Sequence, residues 1–331
     1  EKGECLKLFA DAGGEVEGFH GGRGIIGAIA AIGETLEADH TYELLAYRKP
    51  ENWGKPRSLN PASVKKMAEA TKHETFGNLD PETGRVLVTP RGPDPVYFGV
   101  RGETPAAVLK AAKMLELGEP VERWAVFRSN QGTDAHLKTV KAVSQVPAYS
   151  CVTVEGHVSH APRRFPGGHV IFKVEDGTGT LACATYEPTG DLTKIAAELV
   201  VGDRVRIYGG LRKAEPVLEA TLNLEKLEVL EAVRTFRKVN PLCPKCGRRM
   251  KSMGAGKGFR CPKCRHRSVK AEKASVETER KLKPDLYLAA PRAHRHLTKP
   301  EERYGLEKTV MPGVYLKLRP KVFWGYGWPP P

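Results

Sequence analysis

The feature that most constrains the fold is a pair of closely spaced cysteine motifs late in the chain. Cys243 and Cys246 form one C-x2-C motif, and Cys261 and Cys264 form a second one after fourteen intervening residues. Two such pairs supply the four sulfur ligands of a tetrahedral zinc ion. Because all four ligand positions are thiolates, the zinc would be structural, with no open position for catalysis. The spacing predicts a zinc ribbon over residues 239–270.

The other cysteines and a nearby histidine are not expected to bind metal. A redox dithiol would explain one C-x-x-C motif, but it does not explain two on a short basic hairpin that is rich in glycine. His266 follows the second motif and is expected to be a surface residue. Cys5, Cys151 and Cys183 are isolated, and we expect them to be small buried hydrophobic residues.

Short alternating strands precede the cysteine motifs. Five of them, with a short helix between the third and the fourth, predict an OB-fold β-barrel over residues 148–232. The turn Glu175–Thr180 fits between the second and third strands of that fold. Many OB barrels bind oligonucleotides on these two strands. Arg163, Arg164 and Phe165 lie in the sequence where such a ligand would pass.

The positive charge of the chain is concentrated in one region. The whole chain carries a formal net charge of +14, and residues 232–300 contain 20 Lys and Arg against four acids. The rest of the chain is therefore close to neutral. A solvated surface or a disordered basic tail would also carry such charge, but its position beside ordered modules favours a nucleic-acid backbone as the partner.

The apolar segments are too short to cross a membrane. The longest, Ile25–Ile32, is less than half the length that spans a bilayer, and no signal peptide opens the chain. We therefore expect a cytoplasmic protein without a membrane partner. The chain begins with Glu1, not Met, so we expect a fragment or a processed product.

A glycine-rich segment near the start leads directly into an apolar helix. Gly21, Gly22 and Gly24 surround Arg23 at the start of this helix. Backbone amides and a helix N-terminus hold phosphate in such a setting. Glycines that pack a helix closely on a sheet would give the same pattern, so this motif leaves both interpretations open.

Strand, turn and helix signals follow in the first 147 residues. The segment TYELLAYR, Thr41–Arg48, predicts a strand, and Asp80–Arg85 predicts a hairpin turn. A further strand runs through VYFGV to Arg101. A helix follows it, with Thr104 as its cap and Pro105 at its first position.

The last strand of this region is followed by a cluster of hydrogen-bonding side chains. The segment RSNQGTDAH, Arg128–His136, comes directly after the apolar run Trp124–Phe127. Buried polar groups cost free energy unless each finds a partner, so the cluster either ties loops together or binds a polar ligand. Two other strands end on Arg48 and Arg101, and we expect these basic strand ends to converge on one site.

The combination of these features resembles the archaeal tRNA agmatinylcytidine synthetases. The resemblance covers nearly the whole chain and rests on GGRGIIGAIAAIG, YELLAYR, VRGE, FRSNQGTDAHL, the OB barrel, the four-cysteine ribbon and RAHRHLTKP, in this order. It implies attachment of agmatine to C2 of the wobble cytidine of an isoleucine tRNA with a CAU anticodon. ATP is cleaved to AMP and pyrophosphate, so the resemblance implies ATP, Mg²⁺, agmatine and isoleucine tRNA as cofactors and partners.

This chemistry assigns expected roles to the polar residues. Phosphorylating the carbonyl oxygen makes it a leaving group, and cations offset the phosphate charge. We expect the nucleotide to be bound by Gly21, Gly22, Arg23, Gly24, Arg101, Asn130 and Gln131. We expect catalysis to involve Arg128, Asp134 and His136, although His136 would equally satisfy a loop as a core histidine. Agmatine carries N–H donors, which suit the oxygens of Asp134, Asn130 and Gln131.

One family motif is absent from this chain. Members open with an aspartate-rich DDTD segment and a threonine that is phosphorylated, and no DDTD occurs here. We therefore expect a chain that is incomplete for catalysis alone, either cut or partnered by a separate N-terminal segment. A non-catalytic RNA or single-stranded DNA binding protein is the alternative function. It explains the second half of the chain but not GGRGIIGA or RSNQGTDAHL.

The predicted architecture is a multidomain α+β chain. It consists of an N-terminal α/β catalytic region over residues 1–147, the OB-fold over 148–232, the zinc ribbon over 239–270 and a basic C-terminal extension over 271–331. We expect the N-terminal region to combine part of a kinase-like domain with a ferredoxin-like domain.

Overall fold

The computed structural model describes residues 2–18, 21–22, 24–34, 36–214, 219–309 and 324–328. The chain forms two compact units. The first unit contains residues 1–136 and 291–331, and the second unit contains residues 137–290. None of the described helices is long and apolar enough to cross a membrane.

The described elements are short and mostly strands. The helices are α1 (Lys2–Asp11), α2 (Ile25–Gly33), α3 (Pro61–Ala70), α4 (Pro105–Lys113) and α5 (Asp191–Ala196). The strands are β1 (Thr41–Arg48), β2 (Thr75–Phe76), β3 (Val96–Gly102), β4 (Val121–Ser129), β5 (Lys138–Thr139), β6 (Cys151–Arg164), β7 (Val170–Glu175), β8 (Thr180–Thr185), β9 (Arg204–Arg212), β10 (Thr221–Glu231), β11 (Thr235–Val239), β12 (Lys251–Ser252), β13 (Phe259–Arg260), β14 (Arg267–Ser268), β15 (Ala274–Thr278), β16 (Asp285–Leu288) and β17 (Trp324–Tyr326). Single 3₁₀ turns occur at Pro50–Asn52, Val143–Gln145, Glu187–Thr189, Pro291–Ala293 and Glu301–Arg303.

The first unit is built on an antiparallel sheet in the order β17-β4-β1-β3-β2. Its central part runs β1-α3-β2-β3-α4-β4 along the chain, which is the ferredoxin-like arrangement. One face of this sheet packs its apolar side chains against α3 and α4. The core includes Leu44 and Phe98 of the sheet, Met67 of α3 and Val108 of α4. The other face of the sheet is named the open face below.

Several local predictions for the first unit are confirmed. Strand β1 has the predicted bounds, and an antiparallel bridge between Leu79 and Val86 closes the predicted hairpin turn. Helix α4 begins after Thr104, whose side chain accepts a hydrogen bond from the backbone N–H of Ala107 at 3.1 Å. Helix α3 was not predicted, although the Asn60 side chain caps its start.

The predicted convergence of three basic strand ends is wrong for Arg48. Strand β1 is antiparallel to both neighbours, so the residues opposite Arg101 and Arg128 lie at the start of β1. Arg48 lies at the other end of the sheet and is buried. It binds the carboxylate of Glu119 at 2.9 Å and the carbonyl of Lys55 at 2.7 Å. Its role is therefore to hold loops together at that end.

The second unit contains the predicted OB-fold. Strands β6, β7, β8, β10 and β9 form a closed barrel, because β9 pairs with both β10 and β6. Strand β8 pairs with β10 in parallel, and the other pairs within the barrel are antiparallel. Strands β11 and β15 form a separate antiparallel pair, and β12, β13 and β14 form a three-stranded ribbon.

The structure divides the predicted C-terminal extension between the two units. Strand β15 pairs with β11, and strand β16 pairs with β10 of the barrel. Residues 291–309 instead belong to the first unit, and β17 adds an edge strand to its sheet. Strand pairing with β11 and β10 holds β15 and β16 in the second unit, whereas ion pairs of Arg303 hold residues 291–309 on the first unit.

A buried guanidinium holds residues 291–309, named the C-terminal segment below, on the first unit. Arg303 is fully buried and binds the carboxylates of Asp39 at 2.9 Å and Glu103 at 2.6 Å. It also donates to the carbonyl of Gly132 at 2.5 Å. These partners lie 264, 200 and 171 residues away in the sequence. Arg303 thus connects distant parts of the chain at one point.

Two carboxylates that bind this segment are stabilised in their charged form. Burial alone would raise the pKa of Asp39, but the hydrogen bonds from Arg303 and from the backbone N–H of Lys308, together with the positive charges of Arg303 and Lys299, outweigh it and lower that pKa. Asp80 is buried too, and its hydrogen bond with Arg292 lowers its pKa in the same way. A carboxylate with a lowered pKa in the folded state stabilises the fold above its unfolded pKa. This stability is lost as the pH falls through the folded pKa.

We expect Arg303→Met to destabilise the first unit by about 3 to 5 kcal/mol, since it leaves two carboxylates without their buried partner. Urea unfolding at neutral pH measures this change. Arg85→Met, at the exposed hairpin turn, is the control and should stay within about 0.5 kcal/mol of the wild type. The wild type should also lose stability as the pH falls below about 4. Equal unfolding free energies for Arg303→Met and the wild type would contradict the proposed anchor.

Candidate functional site

The four paired cysteines meet in the ribbon of the second unit. Their sulfur atoms all lie within 4.8 Å of one another. Cys243 Sγ lies 3.5 Å from Cys264 Sγ, and Cys246 Sγ lies 3.4 Å from Cys261 Sγ. Four sulfurs bound to one zinc at about 2.3 Å would lie about 3.8 Å apart, so the cluster fits a tetrahedral zinc ion.

Each cysteine pair sits on a tight backbone turn. The N–H of Gly247 donates to the carbonyl of Cys243, and the N–H of Arg265 donates to the carbonyl of Cys261. Both Gly247 and Arg265 have positive φ, at 69° and 60°. The backbone N–H of Cys264 points at the sulfur of Cys261 and lowers the pKa of that thiol to about 6. This donor favours the thiolate form of Cys261, which is the form that a zinc ligand requires.

A cavity of about 240 Å³ lies on the open face of the first unit's sheet. Its walls include Glu43 of β1, Arg101 of β3, Gln131 and His296. It is named the inner cavity below. Gly99 also lines it, and a Cβ at that position would lie 2.9 Å from the side chains of Glu43 and Leu45. A residue larger than glycine would therefore crowd the Glu43 carboxylate.

Hydrogen-bond acceptors lie at one side of the inner cavity. Glu43 is only 7% exposed, and its carboxylate accepts from Arg101 Nε at 3.0 Å and from Gln131 Nε2 at 2.6 Å. The side-chain oxygen of Gln131 is buried and has no hydrogen-bond partner in the described part of the chain. Buried polar atoms are normally paired, so this oxygen marks a position for a donor.

A larger cavity of about 400 Å³ shares Arg101, His296 and several other residues with the inner one. It is named the outer cavity below. Part of its wall comes from the C-terminal segment, including Arg292 and Arg295. Arg91 completes the basic lining from the loop before β3. The wall of the outer cavity is thus made by two parts of the first unit that lie far apart in the sequence, residues 76–101 and residues 291–302.

The loop after β4 ties the C-terminal segment to the sheet. The N–H of Gly132 donates to the carbonyl of His296 at 2.9 Å, and the N–H of Asp134 donates to the carbonyl of Leu297 at 2.8 Å. The Asp134 carboxylate accepts from the N–H of Lys299 at 2.7 Å. Gly132 has a φ of 68°, and a Cβ there would lie 2.9 Å from the ring of Phe76. The loop therefore has a structural function, while its Gln131 also lines a cavity.

The other residues predicted for the catalytic region are spread over the first unit. Arg128 pairs with Tyr42 on the helix-packed side of the sheet, whereas Arg101 lies on the open face. Arg128 donates to the carbonyl of Leu36, and its Nε is buried without a hydrogen-bond partner among the described residues. His136 is half-buried.

The glycine-rich segment precedes α2 in the expected position. Gly21, Gly22 and Gly24 have φ of 72°, 70° and 84°, which a side chain would strain. Lys2 Nζ donates to the carbonyl of Gly21 at 2.5 Å. Arg23 lies outside the described residues.

Sequence reasoning did not assign a role to Glu43 or His296. Glu43 is the one carboxylate in the strand TYELLAYR, and alternation places it on the open face. That isolated charge was the available signal. His296 stands in RAHRHLTKP, whose position beside the sheet depends on contacts that no local pattern encodes.

Known proteins match the chain along most of its length. Family models match the TiaS FLD domain at residues 22–136, an OB-fold nucleic acid binding domain at 152–230 and the TiaS C-terminal zinc ribbon domain at 240–282. TiaS of Methanosarcina acetivorans, a 2-agmatinylcytidine synthetase for isoleucine tRNA, is 43% identical over 300 residues, which cover 89% of this chain and 68% of that protein. The chain belongs to the TiaS family.

Other TiaS proteins support the same assignment. The enzyme of Staphylothermus marinus is 45% identical over 291 residues, which cover 88% of this chain and 63% of that protein. The chain thus spans about two thirds of the length of these relatives. A crystal structure of TiaS with isoleucine tRNA and ATP matches with a TM-score of 0.78 and 37% identity, over 91% of this chain and 69% of that one. The complex of TiaS with isoleucine tRNA, AMPCPP and agmatine matches with a TM-score of 0.75 and 35% identity, over 90% and 68%.

We expect one zinc ion per chain in protein purified without chelator, and we expect Cys261→Ser to lose most of it. Zinc would be measured by mass spectrometry, and hydrogen exchange of the β12–β14 amides would report unfolding of the ribbon. Cys5→Ser lies outside the cluster and should keep the full zinc content. Zinc-free wild-type protein, or equal zinc in the two variants, would contradict the assignment.

Proposed function

We propose that this chain takes part in the attachment of agmatine to C2 of the wobble cytidine of the isoleucine tRNA with a CAU anticodon, with ATP cleaved to AMP and pyrophosphate. The observation that carries the proposal is its likeness to TiaS across both units, which includes the structures solved with isoleucine tRNA, ATP and agmatine. The first unit would contribute to the reaction, and the second would bind tRNA. Because tRNA is the proposed substrate, we propose the cytoplasm as the place of action.

The OB barrel supplies a surface suited to unpaired nucleotides. Arg163 and Arg164 lie at the end of β6, opposite residues of β7, and Phe165 follows them with 44% of its surface exposed. Guanidiniums bind phosphates, and exposed rings stack on bases. These are the two contacts with which OB folds hold single strands. These features of the barrel support the proposal that it binds the anticodon loop.

The ribbon region supplies charge for the RNA backbone. Within the second unit, residues 232–290 contain 17 Lys and Arg against four acids, and Arg248 and Arg265 are exposed beside the cysteine turns. A fixed zinc-bound turn holds such side chains at a defined place. We propose that this surface binds phosphates without reading the base sequence.

The inner cavity is the proposed place for agmatine. A guanidinium or an amine brings only donors, and the Glu43 carboxylate and the Gln131 side-chain oxygen are acceptors. Agmatine would give the unpaired Gln131 oxygen a partner. The Glu43 carboxylate already accepts from Arg101 and Gln131, so discrimination against a ligand without donors would rest on the unpaired Gln131 oxygen.

The remaining predicted residues keep proposed roles in the reaction. We propose that the amides at Gly21, Gly22 and Gly24 and the side chains of Arg101 and Asn130 help to bind ATP with Mg²⁺. Arg128 and His136 are proposed catalytic residues. Asp134 is proposed as a positioning residue, because its carboxylate holds the backbone of the C-terminal segment.

The affinity of the chain for the isoleucine tRNA should fall steeply with salt, since backbone contacts release bound counterions. We expect Arg248→Glu with Arg265→Glu to weaken binding at least tenfold and to reduce the salt slope by about 1 to 2. Filter binding across a range of salt concentrations measures both quantities. Arg85→Glu in the first unit should change neither. Affinity that does not depend on salt would remove the electrostatic part of the proposal.

The reaction itself is tested by incorporation of labelled agmatine into a transcript of the isoleucine tRNA with a CAU anticodon. The assay uses the chain alone and the chain mixed with the part of the Methanosarcina acetivorans protein outside the aligned region. Incorporation should require ATP and the wobble cytidine, with a wobble-uridine transcript as the control. Absence of incorporation in the mixture, together with absence of tRNA binding, would contradict the proposed function.

Gln131→Met should raise the KM for agmatine at least tenfold in that assay, because it removes a buried acceptor while keeping the side-chain length. Calorimetry with agmatine and the chain alone gives a second measurement that does not depend on activity. The affinity for tRNA should stay unchanged. Gln145→Met, in an exposed turn of the second unit, is the matched control. An unchanged KM and an unchanged agmatine affinity would exclude the inner cavity as the agmatine site.

A further inference from the structure

We propose that the outer cavity of the first unit binds phosphate groups. The charged side chains of its lining are mostly basic, and they come from two distant parts of the sequence. Four guanidiniums line it, and they belong to Arg91, Arg101, Arg292 and Arg295. Among the described lining residues, Glu302 contributes the one carboxylate. Arginine presents several N–H donors in a planar array, which matches the oxygens of a phosphate.

Two of these guanidiniums are held in place by acids that lie beneath them. Arg292 binds the fully buried Asp80 at 3.1 Å, and the same nitrogen also binds the carboxylate of Glu82 at 2.6 Å. Arg101 binds the buried Glu43 at 3.0 Å. An ion pair with a buried acid fixes the direction of the guanidinium and offsets part of its charge. Such fixed donors lose little conformational entropy when a ligand binds.

His296 adds a neutral donor of defined tautomer. The Nη2 atom of Arg101 lies 2.9 Å from Nδ1 of His296. Arginine only donates hydrogen bonds, so Nδ1 accepts and the ring proton is on Nε2. The imidazole lines the cavity, and in the proposed site its Nε2–H would donate to a phosphate oxygen. The proposed site thus combines charged and neutral donors.

The size of the outer cavity favours a ligand larger than one phosphate ion. Its volume of about 400 Å³ has room for a diphosphate or for a phosphate with its sugar. Both a nucleotide and an RNA backbone provide this chemistry. The shared requirement is a phosphate ester or anhydride, and the two sources are separated by experiment.

Inorganic pyrophosphate is the probe for the site, measured by calorimetry with the whole chain. Arg91→Gln with Arg295→Gln removes two charges at exposed positions, so the fold should be kept. We expect the wild type to bind pyrophosphate and the double variant to bind it at least tenfold more weakly. Lys65→Gln with Lys66→Gln makes the same charge change on the exposed part of α3 and should leave the affinity unchanged.

Two further measurements identify the source of the phosphate. If the site holds a nucleotide, the double variant loses at least tenfold in ATP affinity and keeps its tRNA affinity. If it holds the RNA backbone, pyrophosphate competes with tRNA and the double variant has a smaller salt slope. Equal pyrophosphate affinity in the double variant and the wild type, or no pyrophosphate binding by either, would overturn the proposal. Because this titration contains no tRNA or agmatine, its result is independent of the proposed reaction.

Discussion

The ion pairs of Arg303 are the constraint on which the first unit depends. A fully buried guanidinium is costly unless nearby carboxylates and carbonyls offset its lost hydration. Arg303 meets that requirement with Asp39, Glu103 and the carbonyl of Gly132. These groups come from three separate parts of the chain. Once they are assembled, the C-terminal segment has one favourable position on the sheet, and both cavities receive part of their wall from it.

The features that could be predicted from the sequence have short-range causes. The zinc cysteines are separated by fixed small spacings, and helix α4 is marked by Thr104 and Pro105 at its start. The barrel strands of the second unit alternate in polarity, since one side of each strand faces the core. Helix α3 had the same kind of signal in Asn60 and Pro61, and it was missed among the surrounding glycines and prolines.

The features that were not predicted depend on register and long-range contacts. Arg48 resembled Arg101 and Arg128 as a basic strand end, but antiparallel pairing puts it at the opposite end of the sheet. The inner cavity joins Glu43, Gln131 and His296, which are far apart in the sequence. No local pattern states that these residues meet, because their proximity follows from strand order and from the Arg303 anchor. The polar loop after β4 therefore has two roles. Its backbone hydrogen bonds hold the C-terminal segment on the sheet, and its Gln131 lines the inner cavity.

The division of the chain into units determines which unit is complete first during synthesis. The first unit is interrupted after residue 136 and resumes at residue 291, so the ribosome makes the whole barrel and ribbon in between. During that interval Asp39 and Glu103 exist without Arg303, and strand β4 lacks the edge strand β17. The second unit has all its strands from one continuous stretch and is free to fold first. The nascent first unit would therefore be the part of the chain most exposed to aggregation or to chaperones.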